Sequence, residues 1–181
     1  MRTGLLLRRL QRFGRDKRGV SAVEFALVLP LMMTLYLGGV ELSQAITASR
    51  KVTLVARTVS DLTSQVSTIS NASMTDILKA SAAIVSPFSA NSVKVTVSCV
   101  TIDANGKATI AWSDTLNGTA HAVGTTVTLP AALDVPSTTL IWSEAEYDYK
   151  PTIGYVITGT MALKDQMYMR PRLSDTITRT S

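Results

Sequence analysis

The chain is short of the residues from which catalytic and metal centres are built. Its 181 residues hold one histidine, His121, and one cysteine, Cys99. A single cysteine excludes an intrachain disulfide. In an oxidising compartment it must be buried or available for pairing with another chain, and its place among alternating apolar residues favours burial as a small hydrophobe. His121 has no second histidine and no nearby cysteine to complete a metal-binding set, so it is expected as a surface loop residue. No glycine-rich phosphate loop and no Ser/His/Asp arrangement is present. No internal repeat and no low-complexity linker interrupts the chain. These absences argue against an enzyme and imply no cofactor and no metal.

The charge is also unevenly spread. The formal net charge is +5, yet residues 1–19 hold seven bases (Arg2, Arg8, Arg9, Arg12, Arg15, Lys17 and Arg18) and only Asp16 against them. That tail carries +6 and the remaining chain −1. A basic protein ordinarily raises the question of nucleic acid. Here the positive charge sits in one short segment beside an apolar run, which is what holds an N-terminus on the cytoplasmic side of a membrane. Nucleic acid is therefore not an expected partner.

The apolar run spans Val20–Val40, 21 residues, close to the roughly 20 needed to cross a bilayer. A secretory signal core is shorter and ends at small residues. The nearest such site, Ile46-Thr47-Ala48, places a large residue in the first small position. Arg8-Arg9 suggests a twin-arginine signal, but the apolar run begins too late for one. A retained membrane helix is the better reading. Pro30 removes one backbone donor inside it, and Gly38-Gly39 forms a smooth point near its outer end. Both are common in membrane helices, or they let the helix bend on leaving the bilayer.

One acid, Glu24, lies near the start of this run, where an ionisable group is expensive. The sequence Arg18-Gly19-Val20-Ser21-Ala22-Val23-Glu24 resembles the type IV prepilin cleavage site. The resemblance implies a prepilin peptidase cut after Gly19, leaving Val20 as residue one and Glu24 as residue five of the mature chain.

Helical spacing continues beyond the span. Val52, Val55, Val59, Leu62, Val66 and Ile69 step by three and four, with Leu42 and Ile46 extending the stripe backwards. This predicts one helix over about Val20–Ile69 whose outer half packs on its own domain. Ser73 with Asp76 three residues later predicts an N-cap and a short helix to about Val85, ended by Pro87. The period then becomes two. Val93, Val95, Val97 and Cys99 alternate with polar residues, Asp103-Ala104-Asn105-Gly106-Lys107 is a hairpin turn, and the return strand sets Ala108, Ile110 and Trp112 on one face. Residues 117–124 read as loop, with Pro130 and Pro136 bracketing a connector. Further strands are expected over about Thr138–Tyr149 and Tyr155–Met169, joined at Lys150-Pro151-Thr152. Glu144, Glu146 and Asp148 alternate along one strand face; such a row can bind a cation, but a solvated face that discourages edge pairing is the commoner outcome.

The fold class is thus α+β: a long N-terminal membrane-spanning helix packed on a small antiparallel sheet. Its parts are a basic cytoplasmic leader over 1–19, a membrane half over 20–40, and a helix-plus-sheet domain over 41–181.

The stretch Lys17-Arg18-Gly19-Val20-Ser21-Ala22-Val23-Glu24-Phe25-Ala26-Leu27-Val28-Leu29-Pro30 resembles the TadE-like pseudopilins of tight-adherence (Tad/Flp) pilus systems, and Gly39-Val40-Glu41 is consistent with them. Tyr147-Asp148-Tyr149-Lys150-Pro151 and Met169-Arg170-Pro171-Arg172 are looser matches. The TadF-like branch shares the N-terminal segment. The resemblance implies a pilin-like fold, a minor pilin or pseudopilin role in pilus biogenesis or priming, and a single-pass inner-membrane location with the C-terminal domain periplasmic. It also implies three kinds of partner: the prepilin peptidase, other pilins, and the inner-membrane platform. Glu24 would then attract the N-terminal amine of a neighbouring subunit. The alternative is a bitopic envelope protein whose outer domain binds a partner or ligand, with Gly19 and Glu24 coincidental.

Overall fold

The computed structural model describes residues 18–180. The basic leader lies outside them as far as Lys17. The described residues form helix α1 (Arg18–Ser64), strand β1 (Thr68–Ser70), helix α2 (Asn71–Ala83), a 3-10 turn (Ala90–Ser92), and strands β2 (Val93–Ile102), β3 (Ala108–Leu116), β4 (Thr138–Tyr149), β5 (Met161–Met169) and β6 (Thr178–Thr180). The α+β class is as read from the sequence. The chain divides into two compact units: α1 as far as Ser43 with Thr152–Thr158, and Gln44–Pro151 with Gly159 onward.

In the second unit four strands form an antiparallel sheet in the order β3-β2-β4-β5. The outer part of α1 packs on one face of it. Ser143 on β4 donates to the Ala56 carbonyl at 2.6 Å, and its hydroxyl lies 2.5 Å from that of Ser60. Thr53 donates to Asp165 on β5. Ser143 pairs with Val97, so this face carries Val93, Val95, Val97 and Cys99 together with Ile141, Ala145, Tyr147 and Tyr149, all buried.

The middle of the expected stripe, Val52, Val55 and Val59, is buried as read, but its ends lie elsewhere. Buried positions are Ala45, Ala48, Val52, Val55, Ala56, Val59, Ser60, Thr63 and Ser64, whereas Leu42, Ile46 and Leu62 are exposed and Val66 is half-buried. Small residues win the contact because they let helix and sheet approach to hydrogen-bond distance, which larger side chains would hold apart. The helix stops at Ser64 rather than continuing to Ile69. Ile69 instead belongs to β1, which runs parallel to β6 and is buried there. No alternation announces either three-residue strand.

Helix α2 also starts earlier than predicted. Ser70 is the N-cap and accepts from the Ser73 N–H at 3.2 Å, so the Ser73/Asp76 capping box does not form. The hairpin turn is as expected. Asp103 accepts from the Asn105 and Lys107 amides at 2.8 and 2.9 Å, and Gly106 takes φ +80°. Strand β4 has the expected bounds, but β5 begins at Met161, so residues 150–160 form a long connection rather than a tight joint.

Trp112 and Ile110 do not share a face. The β2–β3 register shifts between Cys99 and Val100: Cys99 pairs with Trp112 while Val100 pairs with Ile110, leaving Ala111 extra. Ile110 therefore points away from the helix, into a second core with Val100, Ile102, Ala108 and Leu140. The long β3–β4 connection folds back over this core. Gly124 and Val127 donate to the Ile110 and Ala108 carbonyls at 2.8 and 3.0 Å, setting Val127, Leu129 and Leu133 on the cluster and closing the β3 edge. Trp112 is half-buried, donates to the Ile177 carbonyl at 2.7 Å, and lies beneath Arg179 at 5.9 Å. Arg179 also bonds the Ile69 carbonyl, Asn71 and Asp114, tying the C-terminal strand in place.

The small-residue seam predicts an asymmetric response. Ala56→Leu should cost about 1–3 kcal/mol by overpacking, while Leu54→Ala on the exposed side should stay within about 0.5 kcal/mol. Trp112→Ala should cost about 3 kcal/mol from lost ring contacts and an orphaned carbonyl. Thermal unfolding of the full chain in detergent micelles reads all three, and a neutral Ala56→Leu would contradict the close approach.

Candidate functional site

Residues 19–36 of α1 are exposed and, apart from Glu24, carry no charge. Val23, Phe25, Leu27, Leu31, Leu35 and Tyr36 are all more than half exposed. A helix apolar all round and unpacked against its own chain is suited to a lipid surrounding. This is one N-terminal helix long and apolar enough to cross a membrane once. Within it Pro30 is absorbed without a break, and Thr34 donates back to the Pro30 carbonyl at 2.9 Å.

Gly19, Val20 and Glu24 lie in the first two turns of this helix, exposed. A Cβ added at Gly19 would meet nothing within 4 Å, so packing gives no reason for glycine there. Glycine is also a weak helix former. The three residues share a helix end but form no pocket with one another.

The structure adds a residue that sequence reading noted only as part of Gly39-Val40-Glu41. Glu41 is fully buried at the outer end of the apolar run. Its carboxylate accepts from the Tyr155 N–H at 2.6 Å, Val156 at 3.0 Å and Ile157 at 2.7 Å. Three charge-assisted bonds supply what burial removes from water. Gly38, one turn earlier, makes the approach possible: a Cβ there would sit 3.1 Å from Val156 Cγ2. That accounts for one member of the Gly38-Gly39 pair. The signal for Glu41 was its spacing, since 41, 45, 48, 52, 55 and 59 step by four and three. Its partners, being backbone amides, left no sequence signal.

The sheet face away from α1 holds the other polar cluster, beside a cavity of about 560 Å³ lined by Lys94, His121, Glu144, Glu146, Lys164 and Gln166 among others. The expected carboxylate row is there, and each member has a hydrogen-bonding partner within the chain. Lys94 bonds Glu146 at 3.1 Å and Asp148 at 3.0 Å, and Lys164 reaches Glu146 at 2.8 Å. His121 Nε2 lies 2.5 Å from Glu144, and its ring stacks on Trp142, which stacks in turn on Tyr168. Bonds from Lys164 and then Lys94 hold the Glu146 carboxyl below its usual range, while Asp148 and then Glu146 raise Lys94. Among the described residues no three His, Cys, Asp or Glu side chains are grouped as metal ligands. Cys99 is buried, and burial pushes its thiol up to about 11.

Residues 19–61 match the family model of TadE-like proteins. No curated protein and no solved structure matches the chain. The matched segment covers Gly19, Val20, Glu24 and Glu41. The TadF branch finds no specific support.

Two outcomes follow from these environments. Glu146, with its pKa lowered, adds stability above the ordinary carboxylate range that is lost as pH falls through its folded value; Lys94, raised, adds stability lost only as pH rises through its own. The melting temperature of the full chain should therefore drop on acidification below about pH 4. Glu146→Gln should flatten part of that slope, modestly because the pairs are exposed; parallel acid limbs would contradict the assignment. Cys99 should resist maleimide at pH 7 in the folded chain and react once unfolded.

Proposed function

We propose that this chain, TadE-like across residues 19–61, is a pseudopilin or minor pilin that supports biogenesis or priming of a Tad/Flp adhesive pilus. The observation that carries the reading is the family match laid over an uncovered apolar helix whose Gly19 has no packing role. In this reading a prepilin peptidase cuts after Gly19. The basic leader stays on the cytoplasmic side, Val20–Val40 spans the inner membrane, and residues from Glu41 onward stand in the periplasm. Other pilins and the inner-membrane platform are the partners. Beside the sheet cavity Lys94 pairs with Glu146 and Asp148, Lys164 pairs with Glu146, and His121 bonds Glu144.

Cleavage frees an α-amino group on Val20, four residues from Glu24 and so on nearly the same helix face. Each charge alone is costly at the edge of hydrocarbon, and pairing lowers that cost. The resemblance carries onto Glu24 the role of attracting the N-terminal amine of a neighbouring subunit and so setting its register, against the alternative of a pair within its own chain.

N-terminal sequencing and intact mass of the protein from its host should show a chain beginning at Val20, and replacement of Gly19 by a bulky residue should leave the precursor. A mature chain beginning near Ser49 would instead indicate ordinary signal peptidase. Glu24→Gln keeps size and removes charge, so it should leave cleavage and insertion intact while lowering pilus number. Normal piliation at wild-type protein level would refute the assembly role.

A further inference from the structure

The loop held by Glu41 carries an unexplained surface. Ile153, Tyr155 and Val156 are 48, 58 and 50 % exposed, three large side chains within four residues. Such a cluster on a connecting loop is unusual, since loops of this kind are ordinarily polar. Its place in the fold is fixed: Val156 lies against Gly38, and the amides of Tyr155, Val156 and Ile157 bond Glu41. The loop therefore crosses α1 at the turn from Gly38 to Glu41.

That turn is set by length. At 1.5 Å per residue, Glu41 lies about 31 Å along the helix from Val20, which matches the roughly 30 Å hydrocarbon thickness of a bilayer. Tyr36, 67 % exposed, stands just inside the same end. A tyrosine at this depth suits the headgroup boundary, where aromatic rings collect.

We infer that residues 153–156 form a membrane-interface anchor, in which Ile153, Tyr155 and Val156 enter the headgroup boundary of the lipid leaflet at the outer end of the Val20–Val40 span. The inference rests on the reading of that segment as a span. Irregular backbone cannot approach hydrocarbon with open N–H groups, because each unsatisfied donor there costs several kcal/mol. Glu41 removes the obstacle by accepting three of them, and the three donors in turn satisfy its charge. Three amides of the loop close on the carboxylate, and Ile153, Tyr155 and Val156 remain exposed beside the helix at Gly38. A lipid surface fits this patch because the adjoining helix surface is itself suited to lipid.

The test uses the full chain in vesicles of phosphatidylcholine and phosphatidylglycerol. Nitroxide labels are placed at Tyr155→Cys, at Leu35→Cys as a reference within the span, and at Asn105→Cys on the exposed hairpin tip. Cys99 is buried and leaves the introduced thiols as the reactive ones. The readout is relaxation by oxygen relative to a water-soluble nickel chelate. Label 155 should show an oxygen-to-nickel ratio several-fold above that of label 105 and below that of label 35. In the Glu41→Ala background the ratio at 155 should fall towards the hairpin value. A ratio at 155 equal to that at 105, with label 35 deep, would overturn the anchor and leave the span intact. A water-exposed label 35 would overturn both. An unchanged ratio at 155 in Glu41→Ala would remove Glu41 from the account of how the loop is held.

Discussion

One uninterrupted helix, Arg18–Ser64, has to suit two surroundings, and Glu41 marks where the requirement changes. From Gly19 to Tyr36 the helix is exposed and, apart from Glu24, without charge; from Ala45 onward it is buried along a single stripe. A carboxylate at the junction is tolerable only because three backbone N–H groups close around it. Those donors come from residues more than a hundred positions later, so the contact ties a late loop to an early helix. Gly38 supplies the space, and Glu41 supplies the attraction.

Past the junction, small residues decide how the helix meets the sheet. Ala56 and Ser60 sit where Ser143 reaches up from β4, and the hydroxyl bonds leave no room for leucine. Burial of Val52, Val55 and Val59 on the face that carries Val93, Val95, Val97 and Ile141 supplies the apolar stabilisation. The serine contacts fix the distance at which it is realised. On the far face the chain builds its second core from the β3–β4 connection, which also shields an edge strand. The C-terminal strand completes the domain through Arg179, whose bonds join β1, α2 and β3.

Much of this was legible because it rests on local periodicity. The alternation in Val93–Cys99 and Thr138–Tyr149 marks strands buried on one face, and the Asn105-Gly106 turn follows from φ preferences. On the helix, Val52, Val55 and Val59 are legible from their spacing, but size misleads at the inner end: Leu42 and Ile46 look like core, yet Ala45 and Ala48 are what fit. The bulge at Ala111 was hidden, since Ala108, Ile110 and Trp112 alternate regularly in sequence and only the register with β2 separates them. The β1–β6 pair was hidden for another reason: Thr-Ile-Ser and Thr-Arg-Thr are too short and polar to carry a pattern. At the candidate site, Gly19, Val20 and Glu24 stand out in the sequence through their resemblance to a prepilin cleavage site beside an apolar run. Glu41 was only a fragment of a motif until the loop amides were placed around it.

The Glu41 carboxylate holds the 155–157 amides and so joins this loop to the helix. Hydrogen–deuterium exchange of the full chain in lipid vesicles tests it most directly. The account predicts strong protection of the Tyr155, Val156 and Ile157 amides, although they belong to no helix or strand, and loss of that protection in Glu41→Ala with the α1 amides little changed. Exchange of these three amides at the rate of an open loop in the wild-type chain would contradict it.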